Sequence, residues 1–129
     1  MTSGFVDTSL LIHLYRKHPD ALAWLKAQTE QLSVSSIVWL EFIDGAPSRN
    51  GLKLCLSILD TFELIRLSEA DQDWAMLQLQ RYRLNKGIHD EDCLIASVCH
   101  RLQVPIYTQN LKDMRKLLPS PLVKQPFIA

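Results

Sequence analysis

Gly4-Phe5-Val6-Asp7-Thr8-Ser9-Leu10-Leu11-Ile12 decides the fold class. Three uncharged residues that suit a strand meet three short polar ones, and an apolar helical pattern follows at once. Asp, Thr and Ser side chains accept hydrogen bonds from the free N–H groups of a first helical turn. The stretch is therefore expected to be a strand, about Gly4 to Val6, that turns directly into a helix beginning at Leu10.

Outward from this join, short apolar runs keep alternating with helical patterns. A second helix starts at Pro19 and carries Leu22, Trp24 and Leu25; a second strand lies near Leu32 to Ser35. A helix from Ile37 to about Ala46 is closed by Pro47, another follows around Leu52 to Leu59, and Phe62 to Leu67 alternates like a third strand. Ser68 and Asp71 have capping-box spacing and open a long helix that Gly87 stops. Asp90 or Glu91 starts a helix running to Leu102, Pro105 to Thr108 is a fourth strand, Leu111 to Leu118 a last helix, and Leu122-Val123 an edge strand. This alternation implies an α/β fold with a mostly parallel central sheet.

With 129 residues, the chain is expected to form one domain with a core of its own. At 47% hydrophobic and 22% charged residues it has globular rather than disordered composition. No apolar run approaches the roughly 20 residues of a membrane span, and the first residues lack the marks of a signal peptide, so a cytoplasmic protein is expected. Cys55, Cys93 and Cys99 have neither zinc-ligand nor disulfide-framework spacing and are expected to be reduced and mostly buried. A net charge of zero means that any nucleic-acid contact must come from a local patch and bound metal.

The candidate chemistry lies in carboxylates far apart in sequence. Asp7 closes the first strand, Glu41 follows Ser35-Ser36-Ile37-Val38-Trp39-Leu40, Asp92 opens Cys93-Leu94-Ile95-Ala96, and Asn110 with Asp113 follows the fourth strand. In an open α/β sheet the carboxyl ends of strands share one crevice, so such residues can become neighbours. Each has a simpler explanation taken singly. Asp7 and Asp92 are good first-turn or cap residues, Asn110 and Asp113 likewise, and Glu41 suits the outer face of an amphipathic helix. Together they suggest a cluster that binds Mg²⁺ or Mn²⁺, hard cations that prefer oxygen ligands.

These residues fall into an ordered set: Asp7-Thr8-Ser9, Glu41-Phe42-Ile43-Asp44-Gly45, Asp92-Cys93-Leu94-Ile95-Ala96 and Thr108-Gln109-Asn110-Leu111-Lys112-Asp113. The set resembles the PIN domain from about Gly4 to Asp113. The resemblance implies a three-layer α/β/α sandwich and a metal-dependent endoribonuclease, most like the VapC toxins of toxin-antitoxin pairs. It implies Asp7, Glu41, Asp92 and Asp113 as catalytic metal ligands, with Thr8, Ser9, Thr108 and Asn110 supporting them. It also implies an RNA substrate, a homodimer and a small antitoxin partner.

Lys112 and Arg115, beside Asp113, are the candidate phosphate contacts; Arg81, Arg83 and Lys86 fit a solvated helix end better. The four histidines match no metal-ligand spacing, although His89 stands near Asp92. Leu11, Tyr15, Trp24, Leu25, Trp39 and Phe42 are expected mainly in the core, with a dimer or antitoxin surface as the alternative. A catalytically silent PIN module is a second possibility. A response-regulator-like domain is a third, though it would need paired acids after the first strand, where Asp7 leads instead to Thr8-Ser9.

Overall fold

The structure is a computed structural model, described over residues 1–128. Its strands β1 (Phe5–Val6), β2 (Ser33–Ser35), β3 (Glu63–Ile65), β4 (Ile106–Tyr107) and β5 (Val123–Lys124) form one sheet in the order β3-β2-β1-β4-β5. Every pairing is parallel. Parallel neighbours require crossovers, which helices supply. Helices α1 (Thr8–Tyr15) and α2 (Pro19–Ala27) join β1 to β2; α3 (Ser36–Asp44) and α4 (Arg49–Leu59) join β2 to β3. Helices α5 (Glu69–Lys86) and α6 (Asp90–Leu102) lead to β4, and a single-turn α7 (Leu111–Met114) precedes β5.

The centre of the sheet is buried. Phe5, Val6, Val34 and Ile106 on the strands, with Leu10, Leu11, Val38 and Val98 on the helices, are each at most 1% exposed. Strands covered on both faces carry continuous apolar runs rather than alternation, as the two-residue β1 and β4 do. Of the aromatic-rich first third, Leu11 and Phe42 are in the core, while Tyr15, Trp24, Leu25 and Trp39 pack against it half-buried. All three cysteines are free and buried.

Helix starts follow the sequence chemistry. The Ser35 hydroxyl accepts from the Val38 N–H at 3.4 Å. Ser68 and Asp71 form the reciprocal capping box, with bonds of 3.1 and 2.9 Å, and Gly87 at φ 66° ends α5 in the left-handed region. Asp71 also receives Arg101 Nε at 2.8 Å, which ties α5 to α6.

Three expectations are corrected. The last helix is one turn, Leu111–Met114, and Lys116 to Leu118 continue as turns whose N–H groups reach back three or four residues. The edge strand is Val123–Lys124 rather than Leu122-Val123, because Leu122 closes a 3₁₀ turn opened at Pro119. β3 buries no alternate face: Glu63 and Leu64 are both exposed on the sheet edge.

Candidate active site

β1 is the central strand, so the residue after it is flanked by the loops that leave β2 and β4. That residue is Asp7. Both its oxygens are engaged: Oδ1 accepts from the Thr8 N–H at 2.8 Å, capping α1, and Oδ2 accepts from Thr108 Oγ1 at 2.6 Å. Thr108 is fully buried after β4, and its hydroxyl also accepts from the Asn110 N–H at 2.8 Å. One threonine thus fixes both Asp7 and the turn that carries Asn110 and Asp113. On the other side of Asp7, the Gln109 N–H donates to Ser9 Oγ at 3.2 Å, stitching the β4 loop to the first turn of α1.

Glu41 comes from the middle of α3, where its carboxylate is held by Thr8 Oγ1 at 3.1 Å. The Thr8 hydroxyl therefore serves Glu41, while its backbone serves Asp7. Asp92 lies in the first turn of α6 and Asp113 in α7. His89, not an acid, occupies the N-cap of α6, so Asp90, Glu91 and Asp92 all stand within the first turn.

The acids sense one another. Burial pushes the Asp7 carboxyl above its ordinary value against the Thr108, Thr8 and Ser9 hydrogen bonds. Glu41 is pushed up to about 7, first by burial, then by the Glu91 carboxyl and its charge, and also by Asp7. Asp92 is raised by burial and by the charges of Asp113 and Asp7. Asp113 is the exception, lowered chiefly by Lys116 Nζ at 3.0 Å, with Asn110 and Lys112 adding to the effect. Among the described residues, ion pairs form at Asp71 and Asp113 and none forms at Asp7, Glu41 or Asp92.

Carboxylates raised by burial, with Glu41 and Asp92 raised further by neighbouring acids and no ion pair at any of the three among the described residues, are a donor set that suits a hard divalent ion. The side chains as they stand are not closed into a ligand shell: among the described residues, no three Asp, Glu, His or Cys groups are arranged to hold an ion. Lys112 and Arg115 are exposed on either side of Asp113.

The PIN domain family model matches residues 4–116. The chain belongs to the PIN domain family. Among solved structures, this PIN domain is similar to a toxin-antitoxin complex from Klebsiella pneumoniae, with 25% identity and a TM-score of 0.80 over 98% of this chain and 100% of that one. It is also similar to VapBC2 from Rickettsia felis bound to a DNA fragment from their promoter, with 25% identity and a TM-score of 0.74 over 94% and 96% of the two chains. VapC20 from Mycobacterium tuberculosis, a sarcin-ricin loop cleaving toxin, shares 16% identity at a TM-score of 0.69 over 84% and 90%, which shows the common fold. No curated protein sequence matches the chain.

Sequence reasoning about this PIN domain missed two contacts. Glu91 couples to Glu41 through side chain and charge, although 50 positions separate them. Gln109, to which the motif assigns no role, links the first-turn Ser9 to the C-terminal segment, donating from Nε2 to the Phe127 carbonyl at 3.0 Å. A polar residue between Thr108 and Asn110 was the available signal.

Proposed function

We propose that this PIN domain is a metal-dependent endoribonuclease, the toxin of a VapBC-type pair, that hydrolyses RNA phosphodiester bonds at Asp7, Glu41, Asp92 and Asp113. The observation that carries this reading is the group of carboxylates around the carboxyl end of β1 on this family's fold, Asp7 buried and Glu41 and Asp92 half-buried, with an ion pair at none of the three among the described residues. Mg²⁺ or Mn²⁺ held there would polarise a phosphoryl oxygen and activate water. The chain's own residues prepare the site: Thr108 and the Thr8 N–H fix both oxygens of Asp7, Thr8 Oγ1 fixes Glu41, and Lys116 orients Asp113. Exposed Lys112 and Arg115 would take flanking phosphates.

The toxin assignment is supported by the neighbouring toxin-antitoxin complexes, and with it a small antitoxin partner and a cytoplasmic setting. No helix among the described residues is long and apolar enough to cross a membrane. A homodimer is supported by apolar surface beside the sheet edge, where Leu40 is 58% and Leu64 38% exposed. Cleavage of structured RNA by the purified protein with Mg²⁺ or Mn²⁺ tests the reading. Activity lost with EDTA and in Asp92→Asn is expected; activity that survives both would refute the mechanism, and a folded but inactive wild type would favour a silent module.

A further inference from the structure

Thr8 and Glu41 face two ways: they belong to the acid group, and they also form one end of a cleft of about 280 Å³ between α1, α3 and α4. Its walls are apolar and aromatic, from Ile12, Tyr15, Phe42 and Pro47, and its one lining cation is Arg16. The walls pack against one another. The rings of Tyr15 and Phe42 meet edge to face at 6.5 Å, and α4 presses so closely on this side that a Cβ at Gly51 would lie 2.7 Å from the Tyr15 hydroxyl and 2.8 Å from Pro47. Only glycine permits that approach.

We propose that this cleft receives the unpaired nucleobase adjoining the scissile phosphate, with Arg16 at its rim taking the neighbouring phosphate; the inference rests on the ribonuclease reading above. Three features select this occupant. The cleft is continuous with the acid group, so a strand whose phosphodiester lies at Asp7 and Glu41 must place its next nucleoside on one side or the other. Its volume, just below the roughly 300–1,000 Å³ of pockets for larger ligands, suits one heterocycle with its ribose and not a longer segment. Its lining pairs aromatic and aliphatic surface with one cation, which matches a planar base attached to a phosphate, because base stacking is sequence-tolerant and phosphate contacts position the strand. Ile12 and Arg16 would then govern which unpaired position of an RNA is presented for cleavage.

The test is binding, independent of turnover. The Asp92→Asn protein is titrated, with Mg²⁺ present, into a short fluorescent single-stranded oligoribonucleotide and into versions lacking one base at a time. The same titrations are run with Ile12→Trp, which fills the cleft from the exposed side of α1, and with Arg16→Ala, each added to Asp92→Asn and each checked for unchanged thermal unfolding. The expected result is one position at which base removal weakens binding about tenfold, an effect erased by Ile12→Trp, and a shallower salt dependence for Arg16→Ala. Binding that is indifferent to every base removal and to Ile12→Trp would overturn this inference alone. A parent protein that binds no oligoribonucleotide would overturn it together with the ribonuclease reading.

Discussion

Asp7 and Asp71 are both buried, at 6% and 1% exposure, both stand at the start of a helix, and both accept a backbone N–H there. Their surroundings push them in opposite directions. Burial would raise Asp71, but Arg101 and the Ser68 cap outweigh it and hold the carboxyl below its ordinary value. Asp7 receives only neutral donors, and burial wins. Of these two buried carboxylates, Asp71 is matched by a cation, while Asp7 has only neutral donors and stands near other acids. Perturbed acids of the second kind mark functional sites.

The largest expected effect is on activity. Asp7→Asn keeps an acceptor for the Thr8 N–H, must donate to Thr108 Oγ1 where the carboxylate accepted, and removes the charge, so RNA cleavage should fall by more than about a hundredfold while urea unfolding shows stability little changed. A clear loss of stability would place Asp7 with Asp71 as a structural acid. Asp71→Ala should do the reverse: a loss of about 2 kcal/mol in urea titration, from the broken cap and the abandoned Arg101, with cleavage per folded molecule preserved. Thr108→Val lies between them. It should cost about 1 kcal/mol of stability and about tenfold in metal affinity, because it positions Asp7 rather than replacing it.

The smallest effects are in pH. Asp71 has a lowered folded value, so its contribution is complete above the unfolded value near 3.8 and is lost as pH falls through the folded one. The stability gap between wild type and Asp71→Asn should therefore close only in acid. Glu41 runs the other way. Its folded value near 7 exceeds the unfolded 4.5, so its contribution is present below 4.5 and lost as pH rises through 7. In metal-free solution Glu41→Gln should gain on wild type between those limits; a gap independent of pH would remove Glu41 from the charged group.

Much of this contrast was visible in the sequence, and for a stated reason. Local chemistry announces itself: the Asp7-Thr8-Ser9 join, the Ser68/Asp71 capping box and Gly87 all act within a few residues, and each marks a helix end, although α1 begins at Thr8 rather than at the expected Leu10. Parallel strands beside those joins also bring Asp7 and Thr108 together by topology alone. Arg101, 30 residues from Asp71, carries no mark of its partner, and neither does Glu91 of Glu41, because helix rotation and packing choose those pairs. The ends of the last helix and strand differ from the sequence pattern because Lys116 to Leu122 is built from turns that propensity does not distinguish from helix.

The most direct test of the central claim is thermal and urea unfolding of wild type, Asp7→Asn and Asp71→Asn with Mg²⁺ or with EDTA. An ion held by the Asp7 group should stabilise wild type by about 1.4 kcal/mol at ten times its dissociation constant, and Asp71→Asn by the same amount. It should leave Asp7→Asn almost unmoved. Equal stabilisation of all three proteins, or none in wild type, would contradict the account.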